Sequence, residues 1–95
     1  MIETEHGKFE IINDYKEALE VLTFNERYVP YLNKYMYIVG DYSADMLRMK
    51  GFTESNFETI PDYLMESATP NAPYFVLKRV KQAKEWFFSV LLYTV

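Results

Sequence analysis

The fold is decided by Met36-Tyr37-Ile38-Val39-Gly40-Asp41-Tyr42-Ser43-Ala44-Asp45-Met46-Leu47-Arg48-Met49-Lys50-Gly51-Phe52. Residues 36–39 are apolar on both faces, which is typical of an interior strand covered on two sides. Residues 40–45 break this pattern, and from residue 46 onward apolar and basic side chains alternate. Because the connection is short, the two segments are predicted to form an antiparallel hairpin.

The segment before this hairpin begins with strand composition and continues with a helical pattern. Phe9-Glu10-Ile11-Ile12 has the apolar, β-branched content of a strand. Asp14 and Glu17 then have the spacing of a capping box, in which each side chain bonds the other's backbone N–H. One face of the predicted helix carries Tyr15, Ala18, Leu19 and Leu22. We therefore predict a first helix over residues 14–22.

A second helical stripe lies just before the hairpin and contains a proline. Its members have the i, i+3, i+4, i+7 spacing of one helix face, and they are Tyr28, Tyr31, Leu32 and Tyr35. Pro30 lacks a backbone N–H and would clash with a preceding helical turn. Two interpretations are open: a helix that begins near Val29 with Pro30 in its first turn, or a helix kinked at Pro30. We favour the late start.

The chain after the hairpin adds one short helix and one strand. Thr59 is a predicted N-cap, with Pro61 in the first turn of the helix that follows. Pro70 and Pro73 forbid a continuation of that helix, and Tyr74-Phe75-Val76-Leu77 is again apolar on both faces. The resulting element order predicts an α+β domain, with a small, mostly antiparallel sheet of about four strands packed with about two or three short helices.

The apolar faces of these elements predict one buried core. Each predicted core residue lies on an apolar face of a helix or strand, or in a strand that is apolar on both faces. We expect the following residues to be buried together: Leu19, Ile38, Leu47, Val76 and Leu77.

Length and composition fit one domain and exclude several kinds of chemistry. The chain has 95 residues, of which 49% are hydrophobic and 18% aromatic, so residues 1–95 are predicted to form a single domain. The absence of cysteine excludes a disulfide framework, a thiolate zinc site and a cysteine nucleophile. The single histidine, His6, lies near Glu3 and Glu5, and this trio close to a terminus makes a poor metal cage. We expect no catalytic, cofactor or metal site and no enzymatic activity.

Charge is divided unevenly along the chain. Residues 1–67 hold six basic and thirteen acidic side chains, whereas residues 68–95 hold four basic and one acidic. The acidic majority argues against general nucleic-acid coating, which needs clustered Lys and Arg, but it leaves open a local anion or partner site. The alternative is a solvated or salt-bridged face, which is the commoner role of charged strand residues. The candidate residues are Asp41, Arg48, Lys50, Lys78 and Arg79.

Residues 86–95 form an apolar tail in which only Ser89 and Thr94 are polar. The tail is too hydrophobic to leave in water and too short to span a membrane, which takes about 20 residues. We expect it either to dock on its own chain or to contribute to a homodimer, and we favour the homodimer. The predicted oligomer contacts are Trp86, Phe87, Phe88, Leu91 and Leu92. The acidic N-terminus lacks the apolar segment of a secretory signal, so the protein is predicted to be cytoplasmic.

Two segments of the predicted hairpin are distinctive sequence motifs when they occur together. They are Tyr37-Ile38-Val39-Gly40-Asp41 and Leu47-Arg48-Met49-Lys50-Gly51-Phe52. They are supported by Phe9-Glu10-Ile11-Ile12, Glu26-Arg27-Tyr28, Asp62-Tyr63-Leu64 and Ala72-Pro73-Tyr74-Phe75-Val76-Leu77-Lys78. In these motifs the chain resembles the YutD-like family of small uncharacterised proteins from Gram-positive bacteria, over about residues 8–80. The resemblance implies a small cytoplasmic domain, and it leaves the biochemical role open.

Three function hypotheses follow from these observations. The leading hypothesis is a non-enzymatic protein-interaction or regulatory module with a protein partner, because catalytic constellations are missing while the charge is divided and the tail is apolar. One alternative is an RNA- or ribosome-associated binder that uses a basic strand face, whose binding would fall steeply with salt. The other is a small-anion or metabolite-binding protein, which its ligand would stabilise against heat.

Overall fold

The computed structural model of the protein describes residues 1–80. Their main feature is a five-stranded antiparallel sheet with the strand order β1-β2-β5-β3-β4. The predicted α+β class is therefore confirmed, with one strand more than expected. The elements are β1 (Ile2–Thr4), β2 (Gly7–Tyr15), α1 (Val21–Arg27), a 3₁₀ helix (Pro30–Lys34), β3 (Tyr37–Ser43), β4 (Met46–Phe52), a second 3₁₀ helix (Phe57–Thr59), α2 (Ile60–Ser67) and β5 (Tyr74–Arg79).

The predicted hairpin is present as β3 and β4. Ser43 pairs with Met46, and the pairing continues without a shift as far as Tyr37 with Phe52. Ala44 and Asp45 form the two-residue turn, and both have left-handed backbone angles, with φ values of 50° and 63°. This is the geometry of the turns that match the twist of antiparallel hairpins.

The predicted helix over residues 14–22 is wrong. Strand β2 continues through Tyr15, which pairs with Tyr74, and the helix begins only at Val21. Between them the chain turns at Lys16 and Glu17, whose φ values are 57° and 54°. The Asp14 carboxylate accepts a hydrogen bond from the backbone N–H of Leu19 at 3.0 Å, so it stabilises this turn instead of capping a helix.

The other two predicted helices lie where the sequence places them, at residues 30–34 and 60–67, but the type of the first and the capping of the second differ from the prediction. The favoured late start is confirmed, since Pro30 opens the first helical turn after Val29, but the segment is a 3₁₀ helix. Helix α2 has Pro61 in its first turn, as predicted. Thr59 occupies the N-cap position, as predicted, but its hydroxyl donates to the carbonyl oxygen of Asn56 at 2.6 Å and caps no helical N–H.

The sheet buries apolar side chains on both of its faces. The core on the α1 side is large, and it includes Phe9, Phe24, Leu32, Ile38, Leu47, Phe75 and Leu77. The core on the α2 side is smaller and consists of Val39, Phe52, Ile60 and Val76. Among the predicted core residues, Ile38, Leu47 and Leu77 are buried together, and Leu19 packs half-buried against them. Val76 lies in the other core, because successive strand residues face opposite sides of a sheet.

Candidate functional site

Asp41 and Arg48 form a cross-strand ion pair on the α2 side of the sheet. The two residues face each other in the β3–β4 pairing. Arg48 donates from Nη2 to Asp41 Oδ2 at 2.8 Å and from Nε to Oδ1 at 3.3 Å, a bidentate arrangement. Its Nη2 also donates to the carbonyl oxygen of Ser67 at 3.1 Å. The pair therefore ties the hairpin to the end of α2, and Arg48 is held by the protein itself.

The two partners of this ion pair differ in exposure. The Asp41 side chain is 1% exposed, whereas that of Arg48 is 45% exposed. The hydrogen bond to Asp41, and then the charge of its carboxylate, raise the pKa of Arg48. Burial and, to a smaller extent, the nearby Asp41 carboxylate raise the pKa of Tyr63, which lies on the same side.

Lys50 and Lys78 lie on the same face of the sheet as this ion pair. The Lys50 ammonium lies over two rings, 4.8 Å from the centroid of Tyr63 and 5.3 Å from that of Phe52. Such cation–π contacts hold a lysine against the surface. Lys78 pairs in register with Glu10 on one side and Tyr37 on the other.

Arg79 lies on the opposite face, where it joins the N-terminal segment to the helical segments. Its guanidinium donates to Tyr28 Oη at 2.8 Å and to three carbonyl oxygens, those of Leu32 and Tyr35 at 3.1 Å and of His6 at 3.3 Å. It also lies 4.8 Å from the ring centroid of Phe9. The five charged candidates are therefore divided between the two faces, and Arg79 has a structural role.

An apolar groove lies between β2 and α2, on the same face as Asp41. It encloses about 750 Å³. Helix α2 packs through Ile60 against Val39 of β3, Phe52 of β4 and Val76 of β5, and the groove lies between this helix and β2. The groove is lined by Glu10, Ile12, Asn13, Tyr37, Phe57, Glu58, Ile60, Pro61, Leu64, Tyr74, Val76 and Lys78.

A bulge in β2 shapes one wall of this groove. The pairing of β2 with β5 shifts between Ile11 and Asn13, which leaves Ile12 as the extra residue. The Ile12 side chain is 52% exposed. On the opposite wall Phe57 is 41% exposed, with its ring stacked on that of Tyr37 at 5.1 Å. Sequence reasoning missed the groove, since only the register shift at Ile12 and the position of α2 create it.

A second recess extends the groove towards the loop before β5. It encloses about 430 Å³ and shares Leu64 and Tyr74 with the groove. Tyr15 and Met65 also line it, and Met65 is 82% exposed. The open apolar surface therefore follows α2 along most of its length.

Two residues of the N-terminal trio, His6 and Glu3, contact other side chains. The His6 ring stacks on Tyr28, with 4.0 Å between the ring centroids, and Glu3 pairs with Lys8 at 3.1 Å. Within residues 1–80 there is no group of three or more His, Asp or Glu side chains that could hold a metal ion. In the same range, no helix is both long enough and apolar enough to cross a membrane. The predicted oligomer contacts at residues 86–92 lie outside the described residues.

By its fold, the protein belongs to the class of small α+β domains built on one antiparallel sheet that is helix-covered on both faces. The family model described as "Putative antitoxin YutD-like" matches residues 3–78. The chain belongs to this YutD-like family, as its motifs predicted.

Two relatives support this assignment. The chain is 35% identical over 91 residues to "Putative antitoxin YutD" of Bacillus subtilis (strain 168), an alignment that covers 86% of this chain and 100% of that protein. Its fold is similar to the solution NMR structure of protein yutD from B. subtilis, with a TM-score of 0.72 and 36% identity. That match covers 86% of this chain and 83% of the other.

Proposed function

We propose that the protein is a non-enzymatic interaction module of the antitoxin kind, which binds a protein partner through the groove between β2 and α2. The observation that carries the proposal is the open apolar surface of this groove. Ile12 and Phe57, on opposite walls, are both more than a third exposed. Contiguous exposed apolar surface of this kind marks interaction sites on small proteins.

The composition of the groove suits the apolar side chains of a partner. The groove has a volume of about 750 Å³, and apolar or aromatic side chains form most of its lining. Full burial of a large apolar side chain contributes about 1.5–3 kcal/mol. A few apolar side chains of a partner would therefore supply substantial affinity in this groove.

Arg48 and Arg79 are already bonded to other groups of the protein, which favours a protein partner over the phosphate backbone of a nucleic acid. Arg48 is neutralised by Asp41, and Arg79 donates four hydrogen bonds within the protein. Nucleic-acid binding relies on several basic side chains that are free to neutralise phosphates. The name of the B. subtilis relative, "Putative antitoxin YutD", also supports a toxin protein as the partner.

The partner can be found by its toxicity. Genomic fragments of the source organism, placed under an inducible promoter, are screened for growth arrest that co-expression of this protein relieves. We expect the screen to yield a protein that binds the purified chain directly. If no toxic fragment is relieved, or if relief occurs without binding, the antitoxin proposal is wrong.

The binding surface is tested with a matched pair of variants. Ile12→Asp places a charge in the groove, whereas Leu22→Asp places one on α1, at a side chain that is 71% exposed. We expect Ile12→Asp to weaken partner binding at least tenfold, about 1.4 kcal/mol, and Leu22→Asp to leave it unchanged. Equal affinities for the two variants, with circular dichroism showing both folded, would contradict the groove as the binding surface.

A further inference from the structure

The groove lies beside α2 and has about the width of one helix. Ile60 of α2 packs against side chains of β3, β4 and β5, so the helix lies over β3, the middle strand of these three. Strand β2 is two strands away from β3, which is about 9–10 Å at the usual strand spacing. Helices that pack side by side lie about 8–10 Å apart. A second helix beside α2 would therefore lie over the β2 side of the groove.

Helix α2 presents an apolar stripe to this space. Pro61, Leu64, Met65 and Ala68 have the i, i+3, i+4, i+7 spacing of one helix face, and all four line the groove or the recess that extends it. Met65 is 82% exposed. Side-chain rows of this spacing are the surfaces through which helices pack against each other. The wall formed by α2 therefore has the pattern of a helix–helix contact.

The floor of the groove offers side chains and no backbone hydrogen bonds. The backbones of β2 and β5 pair with each other, and such bonds lie in the plane of the sheet. An extended segment lying on this face would press its inward N–H and C=O groups against apolar side chains, and buried polar groups without partners cost free energy. A helix satisfies these groups itself, through bonds between residues i and i−4. The floor therefore favours a helical ligand over an extended one.

The charged side chains of the lining lie towards one end of the groove. Lys78 pairs in register with Glu10 and with Tyr37. Phe57 stacks on the Tyr37 ring, which brings its neighbour Glu58 to the same end. Two carboxylates and one ammonium group thus face the ligand here, and the net negative charge is complementary to a basic side chain. The opposite end continues into the apolar recess.

We propose that the groove binds an amphipathic α-helix of the partner. The helix packs its apolar stripe alongside α2 and over β2 and β5, and it places a lysine or arginine at the end that carries Glu10 and Glu58. The inference deepens the proposed function and rests on it, because it names the kind of segment that occupies the same site. In the complex, this face of the sheet carries two helices, α2 and that of the partner.

Two displayed peptide libraries test the shape of the ligand. One has apolar residues at helical spacing, the other alternates apolar and polar residues as a strand does, and both are selected on the full-length protein. We expect peptides from the helical library that bind the wild type and Leu22→Asp equally and bind Ile12→Asp weaker by roughly tenfold or more. The inference is wrong if such groove-dependent peptides come only from the strand library, or from neither.

A second groove variant and a spectrum of the complex support the selection. Met65→Asp changes a side chain that is 82% exposed, so the fold tolerates it, and we expect it to weaken the same peptides several-fold. Short peptides are marginal helices when free in water. Circular dichroism of the complex should therefore show more helical signal than the sum of free peptide and free protein. Binding without this gain would overturn the inference.

A charge-reversal pair tests the basic end of the ligand. Glu58→Lys reverses a carboxylate of the lining, whereas Glu66→Lys reverses one on α2 outside the groove and the recess. We expect the selected peptides to carry Lys or Arg near one end. Glu58→Lys should weaken them several-fold at low salt, while Glu66→Lys leaves their affinity unchanged. Equal effects of the two reversals would contradict the proposed orientation of charge.

Light scattering tests a second copy of the chain as the occupant. A monomer at high micromolar concentration supports the inference, whereas a dimer that the selected peptides dissociate means that a second copy fills the groove and overturns it. None of these measurements uses the natural partner. If the partner's binding depends on Ile12 but the helical library yields no groove-dependent peptide, the inference fails while the proposed function stands.

Discussion

At the scale of single residues, Asp41 connects three elements of the structure. Its buried carboxylate receives both hydrogen bonds of Arg48 from the neighbouring strand, and Arg48 in turn bonds the carbonyl oxygen of Ser67 at the end of α2. Gly40, the residue before it, lies against the ring of Phe75. The Gly-Asp pair of the family motif thus has a structural explanation.

The ion pair predicts a coupled effect on stability. Asp41→Asn keeps the shape of the side chain and removes its charge, so we expect the free energy of unfolding to fall by about 1–2 kcal/mol. Arg48→Ala leaves the buried carboxylate without its guanidinium and should destabilise at least as much. Urea unfolding of both single variants and the double variant measures the coupling. Strictly additive losses would show that the pair contributes nothing.

Tyr63 predicts a loss of stability at high pH. Burial, and then the Asp41 carboxylate, raise its pKa above the ordinary 10.0. The unfolded chain therefore releases the tyrosine proton at a lower pH than the folded chain, so stability falls as pH rises past 10.0 through the folded pKa. Urea midpoints across this range should show a shallower decline for Tyr63→Phe than for the wild type. The same slope for both would contradict the assignment.

Gly40 predicts a steric penalty that depends on its neighbour. A methyl group at this position would overlap the ring of Phe75, which is fully buried. We expect Gly40→Ala to cost about 1–3 kcal/mol, as overpacking of a core does. Phe75→Leu removes the ring, so in that background the same substitution should cost much less. If Gly40→Ala destabilises the Phe75→Leu variant as much as the wild type, the added methyl group clashes with something other than the Phe75 ring.

At the scale of elements, the hairpin could be predicted from sequence, whereas the first helix could not. Residues 36–52 carry their own turn and alternation, so local information was sufficient. Residues 14–22 carry a helical stripe, yet isolated helices of that length are marginal in water. Asp14 and Tyr15 instead pair with β5, and this strand pairing outweighs the helical pattern of the sequence. That partner strand begins at residue 74, too far along the chain for local periodicity to reveal it.

The hairpin turn predicts a stabilising substitution. Ala44 has a φ of 50°, a left-handed conformation that costs an ordinary residue about 1–2 kcal/mol, whereas asparagine tolerates it well. We expect Ala44→Asn to raise the melting temperature, with a gain of up to about 1 kcal/mol. Ser43→Asn, in the adjoining strand, is the control and should bring no gain. A lower melting temperature for Ala44→Asn would mean that the turn has another geometry.

At the scale of the whole molecule, the two faces of the sheet have different roles. One face carries the larger core and the Arg79 network, and the other carries a smaller core that ends where the groove begins. Charged candidates could be listed from sequence, but their division between faces depends on strand register. The groove depends on a β-bulge and on the placement of α2, which are tertiary features without a local signal.

The central claim is that the groove face binds the partner, and site-specific photo-crosslinking tests it most directly. A benzoylphenylalanine is placed at position 12, in the groove, or at position 22, on α1, and each protein is irradiated with the partner identified by the growth screen. We predict a covalent adduct, with the summed mass of chain and partner, from position 12 and none from position 22. An adduct from position 22 with none from position 12 would contradict the claim.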